Sequence, residues 1–60
     1  MTREQVLEKL NGKYKVVEER EIYKGIQLRL DNQAVVNCYV TGRHNVMGKN
    51  TRPVEELLNT

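Results

Sequence analysis

From Tyr14 to Gly48 apolar and polar side chains alternate in short runs broken by Gly, Asn and Asp, and helical spacing is confined to two short stretches at the ends of the chain. That pattern predicts an α+β domain in the order helix, four antiparallel strands, helix, with both helices on one sheet face. Two amphipathic helices cover only one face of such a sheet, so the other must be solvated, dimerised or ligand-bound. At 60 residues the chain is one domain, 1–60, and a multi-domain enzyme is excluded. A domain this short buries only about 60% of the surface its unfolded form exposes, which makes a second copy of the chain an expected partner.

Thr2-Arg3-Glu4-Gln5 fits a capping box, followed by Val6, Leu7 and Leu10 on one helical face and a stop at Asn11-Gly12. Tyr14 to Glu21 and Tyr23 to Leu30 are rich in strand formers, with Ile26, Leu28 and Leu30 alternating against Gln27 and Arg29. Lys24-Gly25 and Asp31-Asn32 are the expected turns. In the strand Ala34 to Val40 the alternation sets Ala34, Val36, Cys38 and Val40 against Val35, Asn37, Tyr39 and Thr41. After a turn at Thr41-Gly42, the strand Arg43 to Gly48 sets His44, Val46 and Gly48 against Arg43, Asn45 and Met47. Pro53 suits the first turn of a closing helix with an apolar stripe of Val54, Leu57 and Leu58.

Ten Lys and Arg against eight Asp and Glu give a net charge of +2, too weak by itself to imply nucleic acid. The distribution says more, because the window from Asn32 to Val54 holds Arg43, His44, Lys49 and Arg52 and no carboxylate. Cys38 is the only cysteine, so no intrachain disulfide and no cysteine metal cluster forms, and a reduced, cytoplasmic setting fits best. The opening MTREQVLEKL is charged, unlike a secretion signal, and no apolar run approaches the roughly 18 residues of a membrane span.

Catalytic chemistry finds little footing. Glu18, Glu19 and Glu21, among the basic neighbours Lys15, Arg20 and Lys24, fit a solvated strand edge better than an acid–base pair. Cys38 falls on the expected core face, and His44 has no Cys or Ser placed by motif. Neither a P-loop, a nucleophile elbow nor metal-ligand spacing occurs, so the expectation is a protein without catalysis, cofactor or metal.

The run Val36-Asn37-Cys38-Tyr39-Val40-Thr41-Gly42-Arg43-His44-Asn45-Val46-Met47-Gly48-Lys49-Asn50, followed by an amphipathic helix, resembles the core repeat of the TATA-box-binding protein fold. It is more similar still to the N-terminal substrate-binding domain of bacterial type III ribonuclease H, over roughly residues 34 to 59. The resemblance implies a sheet whose open face holds the minor groove of DNA or an RNA/DNA hybrid. By position it implies that Tyr39 meets the bases, that Asn45 and Met47 point at the groove, and that Thr41-Gly42-Arg43 and Gly48-Lys49-Asn50 are its two tight turns. Asn37 and Asn45 stand where that family is commonly apolar, which favours hydrogen bonding over wedging base pairs apart. The DNA-binding version uses two repeats side by side, so the resemblance also implies a homodimer.

The nucleic-acid-binding residues expected on these grounds are Asn37, Tyr39, Thr41, Arg43, Asn45, Met47, Lys49, Asn50 and Arg52, the last ones flanking a helix start that favours anions. Two other functions fit the same face. One is sequestration of a nucleotide or cyclic nucleotide, as in phage proteins that counter host defence. The other is a protein–protein interaction or inhibitor module in which the basic cluster is incidental.

Overall fold

The computed structural model describes residues 2–59, so the two terminal residues of the expected domain lie outside it. The first helix, α1 (Arg3–Leu10), starts where the capping box places it: Thr2 Oγ1 accepts from the Gln5 N–H at 3.2 Å, and the Gln5 side chain accepts from the Thr2 N–H at 2.9 Å. It ends as Asn11 turns into the left-handed region and donates its N–H to the Leu7 carbonyl. Four strands follow, β1 (Val16–Ile22), β2 (Gly25–Leu30), β3 (Ala34–Tyr39) and β4 (His44–Gly48), and the chain closes with α2 (Thr51–Leu58). The strands form one antiparallel sheet in the order β1-β2-β3-β4.

Both helices lie on one face of this sheet. Val6 and Leu10 from α1 and Val54 and Leu58 from α2 are buried against Leu28, Leu30, Ala34, Val36 and Cys38, and Ile26, Val46 and Leu57 pack around them. These are the positions that the strand and helix periods assign to a common side. Two amide side chains fasten the helix layer to the far end of the sheet. Asn50 Nδ2 donates to the Asn32 carbonyl at 2.8 Å, and Asn32 Oδ1 takes the Ala34 N–H at 3.0 Å.

Three local expectations are corrected. The first hairpin turns at Tyr23-Lys24 rather than Lys24-Gly25: Lys24 adopts the left-handed conformation (φ 58°), and Gly25 already pairs with Ile22 and Tyr39 as a strand residue. Gly25 is needed for close approach, since a Cβ there would stand 2.2 Å from the Cys38 carbonyl oxygen. The first strand begins at Val16, two residues later than expected, and Tyr14 instead packs against the core from the connection. Val40 is not a core residue. Strand β3 stops at Tyr39, where the Gly42 N–H bonds back to the Tyr39 carbonyl at 3.0 Å, and Val40 is 79% exposed in the turn.

Replacing Gly25 by Ala forces the β2 and β3 backbones apart and is expected to cost about 2 kcal/mol or more. Gly12→Ala, where nothing lies within 4 Å and only the positive φ is strained, is expected to cost about 1 kcal/mol. Urea unfolding followed by circular dichroism checks both, and equal losses would contradict the close-approach role of Gly25.

Candidate nucleic-acid interface

Strand alternation places every second residue on the face away from the helices, and the pairing registers line these residues up in three rows. The middle row is Arg20, Gln27, Asn37 and Asn45, one residue from each strand. One flanking row is Glu18, Arg29, Val35 and Met47. The other is Ile22, Gly25 and Tyr39, extended by Arg43, whose carbonyl accepts from the Tyr39 N–H at 2.8 Å.

The middle row is a chain of amides. Gln27 Nε2 donates to Asn37 Oδ1 at 3.2 Å, and Asn37 Nδ2 donates to Asn45 Oδ1 at 2.8 Å and lies 3.2 Å from the Met47 sulfur. Asn37 is only 4% exposed, and its amide is satisfied from both sides. Its bonding capacity is therefore spent inside the protein, where it orients Gln27 and Asn45. The outer edge of the row is different: among the described residues Asn45 Nδ2 and Gln27 Oε1 have no partner, and both remain available to a ligand.

Electrostatics on this face favour an anion. Its one carboxylate, Glu18, faces Arg29 at 3.2 Å and Arg20 at 3.4 Å, so it is outnumbered by the arginines beside it. These pairs are exposed and add little stability. Six of the eight carboxylates lie elsewhere, on the helix layer: Glu4 and Glu8 on α1, Glu55 and Glu56 on α2, and Glu19 and Glu21 on the covered side of β1. Glu19 is bound there by Arg3, whose Nε donates at 2.9 Å.

The residues expected to form the site are only partly brought together. Asn37, Tyr39, Asn45 and Met47 share the open face, with Arg43 at its end. Thr41 belongs to the turn beyond β3 instead. Lys49 follows β4 and lines a groove of about 560 Å³ with Val17, Arg29, Val35 and Gln33 at the far end of the sheet. Asn50 and Arg52 sit at the start of α2, and the Asn50 side chain is engaged with Asn32. Sequence reasoning missed Arg20 and Arg29. Arg29 was marked as outward by its alternation with Leu28 and Leu30, whereas Arg20 was hidden by a bulge that shifts the register between Val16 and Glu18.

On the covered face Cys38 and His44 are cross-strand partners, a juxtaposition that the sequence did not disclose. Burial pushes the Cys38 thiol above its ordinary pKa, the opposite of what a nucleophilic thiolate requires. Among the described residues no group of three or more His, Cys, Asp or Glu side chains is placed to hold a metal, and no helix is long and apolar enough to cross a membrane. Comparison with protein-family models, curated proteins and solved structures finds no match to this chain.

Because its pKa is raised by folding, Cys38 leaves stability undiminished below the ordinary thiol pKa of about 8.5 and withdraws it as pH climbs through the higher folded value. The urea midpoint of the native chain should therefore fall more steeply than that of Cys38→Ala between neutral and strongly alkaline pH. Parallel curves for the two proteins would show that the buried thiol is not the titrating group.

Proposed function

We propose that the chain is a small nucleic-acid-binding module that holds a duplex or an RNA/DNA hybrid on the open face of its sheet, as a cytoplasmic homodimer and without catalysis or cofactor. The observation that carries this reading is the excess of positive charge on the open face. Arg20, Arg29 and Arg43 stand on or at the end of the open face with Glu18 alone opposing them, while the carboxylates of the helix side are accompanied there by Arg3, Lys9 and Arg52. The net charge of +2 is thus carried by this face, since the remaining Lys and Arg are matched by the remaining Asp and Glu.

The amide row supports the same reading. Asn45 and Gln27 offer a donor and an acceptor from a rigid strand scaffold, held in place by the buried Asn37, and Tyr39 supplies a ring next to Arg43 for stacking on a base or sugar. Tyr39 and Met47 stand on one face with Asn37 and Asn45, the two positions at which the chain departs from the commonly apolar pattern of the TATA-box-binding protein fold, and that common face is consistent with the likeness. Lys49 extends the basic surface at one end. Thr41, Asn50 and Arg52 contribute at most from the rim.

A second reading has one observation in its favour. The groove of about 560 Å³ lined by Arg29 and Lys49 also includes Val17, Leu30, Val35 and one carboxylate, Asp31, a size suited to a single nucleotide.

Fluorescence anisotropy with labelled duplex DNA, RNA/DNA hybrid, single strands and mononucleotides separates the two. On the first reading duplex or hybrid binds, and log affinity falls with log salt at roughly 0.9 per phosphate neutralised. Arg43→Glu then weakens binding on the order of tenfold and lowers that slope by about one, while Arg52→Glu on the helix layer has a smaller effect. Binding of mononucleotides alone would transfer the function to the groove, and silence across the panel would refute both.

A further inference from the structure

The two edges of the sheet are built differently. Edge strand β1 carries Glu18, Glu19, Arg20 and Glu21 in succession, a run that repels a second copy of itself. Edge strand β4, His44-Asn45-Val46-Met47-Gly48, has no Asp, Glu, Lys or Arg, and among the described residues it pairs with β3 alone. An open recess lined by His44, Asn45, Val46, Glu55 and Asn59 runs beside it. It is an unguarded edge in a protein that guards the other one.

The hydrogen-bond phase of β4 can be worked out from its ends. Arg43 accepts from the Tyr39 N–H at 2.8 Å, and the Lys49 N–H donates to the Gln33 carbonyl at 3.2 Å. In an antiparallel pair, bonded and non-bonded positions alternate, so Arg43, Asn45, Met47 and Lys49 turn their backbone groups toward β3. His44, Val46 and Gly48 turn theirs outward. This outward set is symmetric about Val46, the middle residue of the strand.

We propose that β4 pairs antiparallel with β4 of a second copy of this chain, Val46 against Val46, joining two sheets into one of eight strands. In that register Val46 exchanges a pair of N–H···O bonds with its copy, and His44 lies opposite the partner's Gly48, whose φ of 91° marks the end of the regular strand. Gly48 has no side chain to crowd the imidazole across from it. On the open face Asn45 meets the partner's Met47, covering a methionine that is 51% exposed in the single chain. The two-fold axis closes the assembly, so growth stops at two copies.

The register also bears on the open face as a whole. It continues the amide row of each copy into the partner's row of Met47 and Val35 and sets Arg43 opposite the partner's Lys49, a like-charge pair at each end that weakens the pairing and that salt or a bound polyanion relieves. The inference deepens the homodimer part of the function proposed above and rests on that part alone, because it is tested without nucleic acid.

Sedimentation equilibrium from micromolar to millimolar chain should show a mass of twice 7.0 kDa that dissociates on dilution. A chemically synthesised chain with N-methylated Val46 carries a methyl group in place of an outward N–H, and should keep the native circular dichroism while remaining at the mass of a single chain, about 7.0 kDa. Amide exchange on the unmodified chain gives a second readout: the Val46 and His44 amides should become protected as concentration rises. A single-chain mass throughout, a mass that climbs past two copies, a dimer that survives N-methylation, or Val46 and His44 amides that exchange freely in the dimer would each overturn the proposal. Loss of nucleic-acid binding with an intact dimer would count against the binding function and leave this pairing standing.

Discussion

Two helices of eight residues can shield only one side of a four-stranded sheet, and the rest of the molecule follows from that shortage of cover. Among the described residues, the buried aliphatic side chains all lie between the helices and the covered face. The open face keeps Ile22, Val35, Tyr39 and Met47 in its flanking rows, and its middle row is stabilised by different means. Those means are hydrogen bonds: Asn37 is the one buried polar residue among those described, and it is buried on the open face between Gln27 and Asn45. A polar group so enclosed is tolerated only because both ends of its amide are paired. The same pairing turns three flexible side chains into a fixed row, which is the property a recognition surface needs.

The bulge in β1 has consequences beyond its single extra residue. Val16 faces the core opposite Leu30, and the shift that follows puts Glu18 and Arg20 on the open face and Glu19 and Glu21 on the covered one. Without it the alternation from Val16 would reverse, sending Glu18 and Arg20 under the helices and Glu19 to the open side, away from Arg3. The bulge thus sets the sign of the charge on each face. It also leaves Val17 62% exposed at the mouth of the groove near Lys49.

Legibility in the sequence tracked the range of the interaction involved. The capping box at Thr2, the Asn11 stop, the turn over Asp31-Asn32 and the inward set Ala34, Val36 and Cys38 depend on neighbours within a few residues, and all were visible in the chain itself. The order of elements and the side taken by the helices were legible for the same reason. Hidden features depend on contacts across strands. Gly25 has the local pattern of a turn residue but stands against the Cys38 carbonyl, and Val40 continues the apolar alternation of its strand but donates its N–H to the Lys24 carbonyl at 2.8 Å. For the candidate site, β3 and β4 were predicted by their own alternation, but Arg20 entered only through the β1 register and Asn50 left because Asn32 claims its side chain.

Asn37 shows why residue type and position do not by themselves assign a role. On the open face, in a polar row, it has the attributes of a ligand contact, yet its bonds to Gln27 and Asn45 leave it nothing to offer. Replacing it would act through Asn45, whose amide nitrogen, without a partner among the described residues, lies on the edge strand. That couples two otherwise separate properties of the protein. An edge strand whose side chains are fixed from within presents a defined surface in the plane of the sheet as well as above it, and Asn45 sits where the two meet. If β4 is both the rim of the polar face and the seam between copies, then the order that Asn37 imposes on Asn45 serves both at once, and the side chain least able to touch a ligand is the one on which the geometry of the face depends.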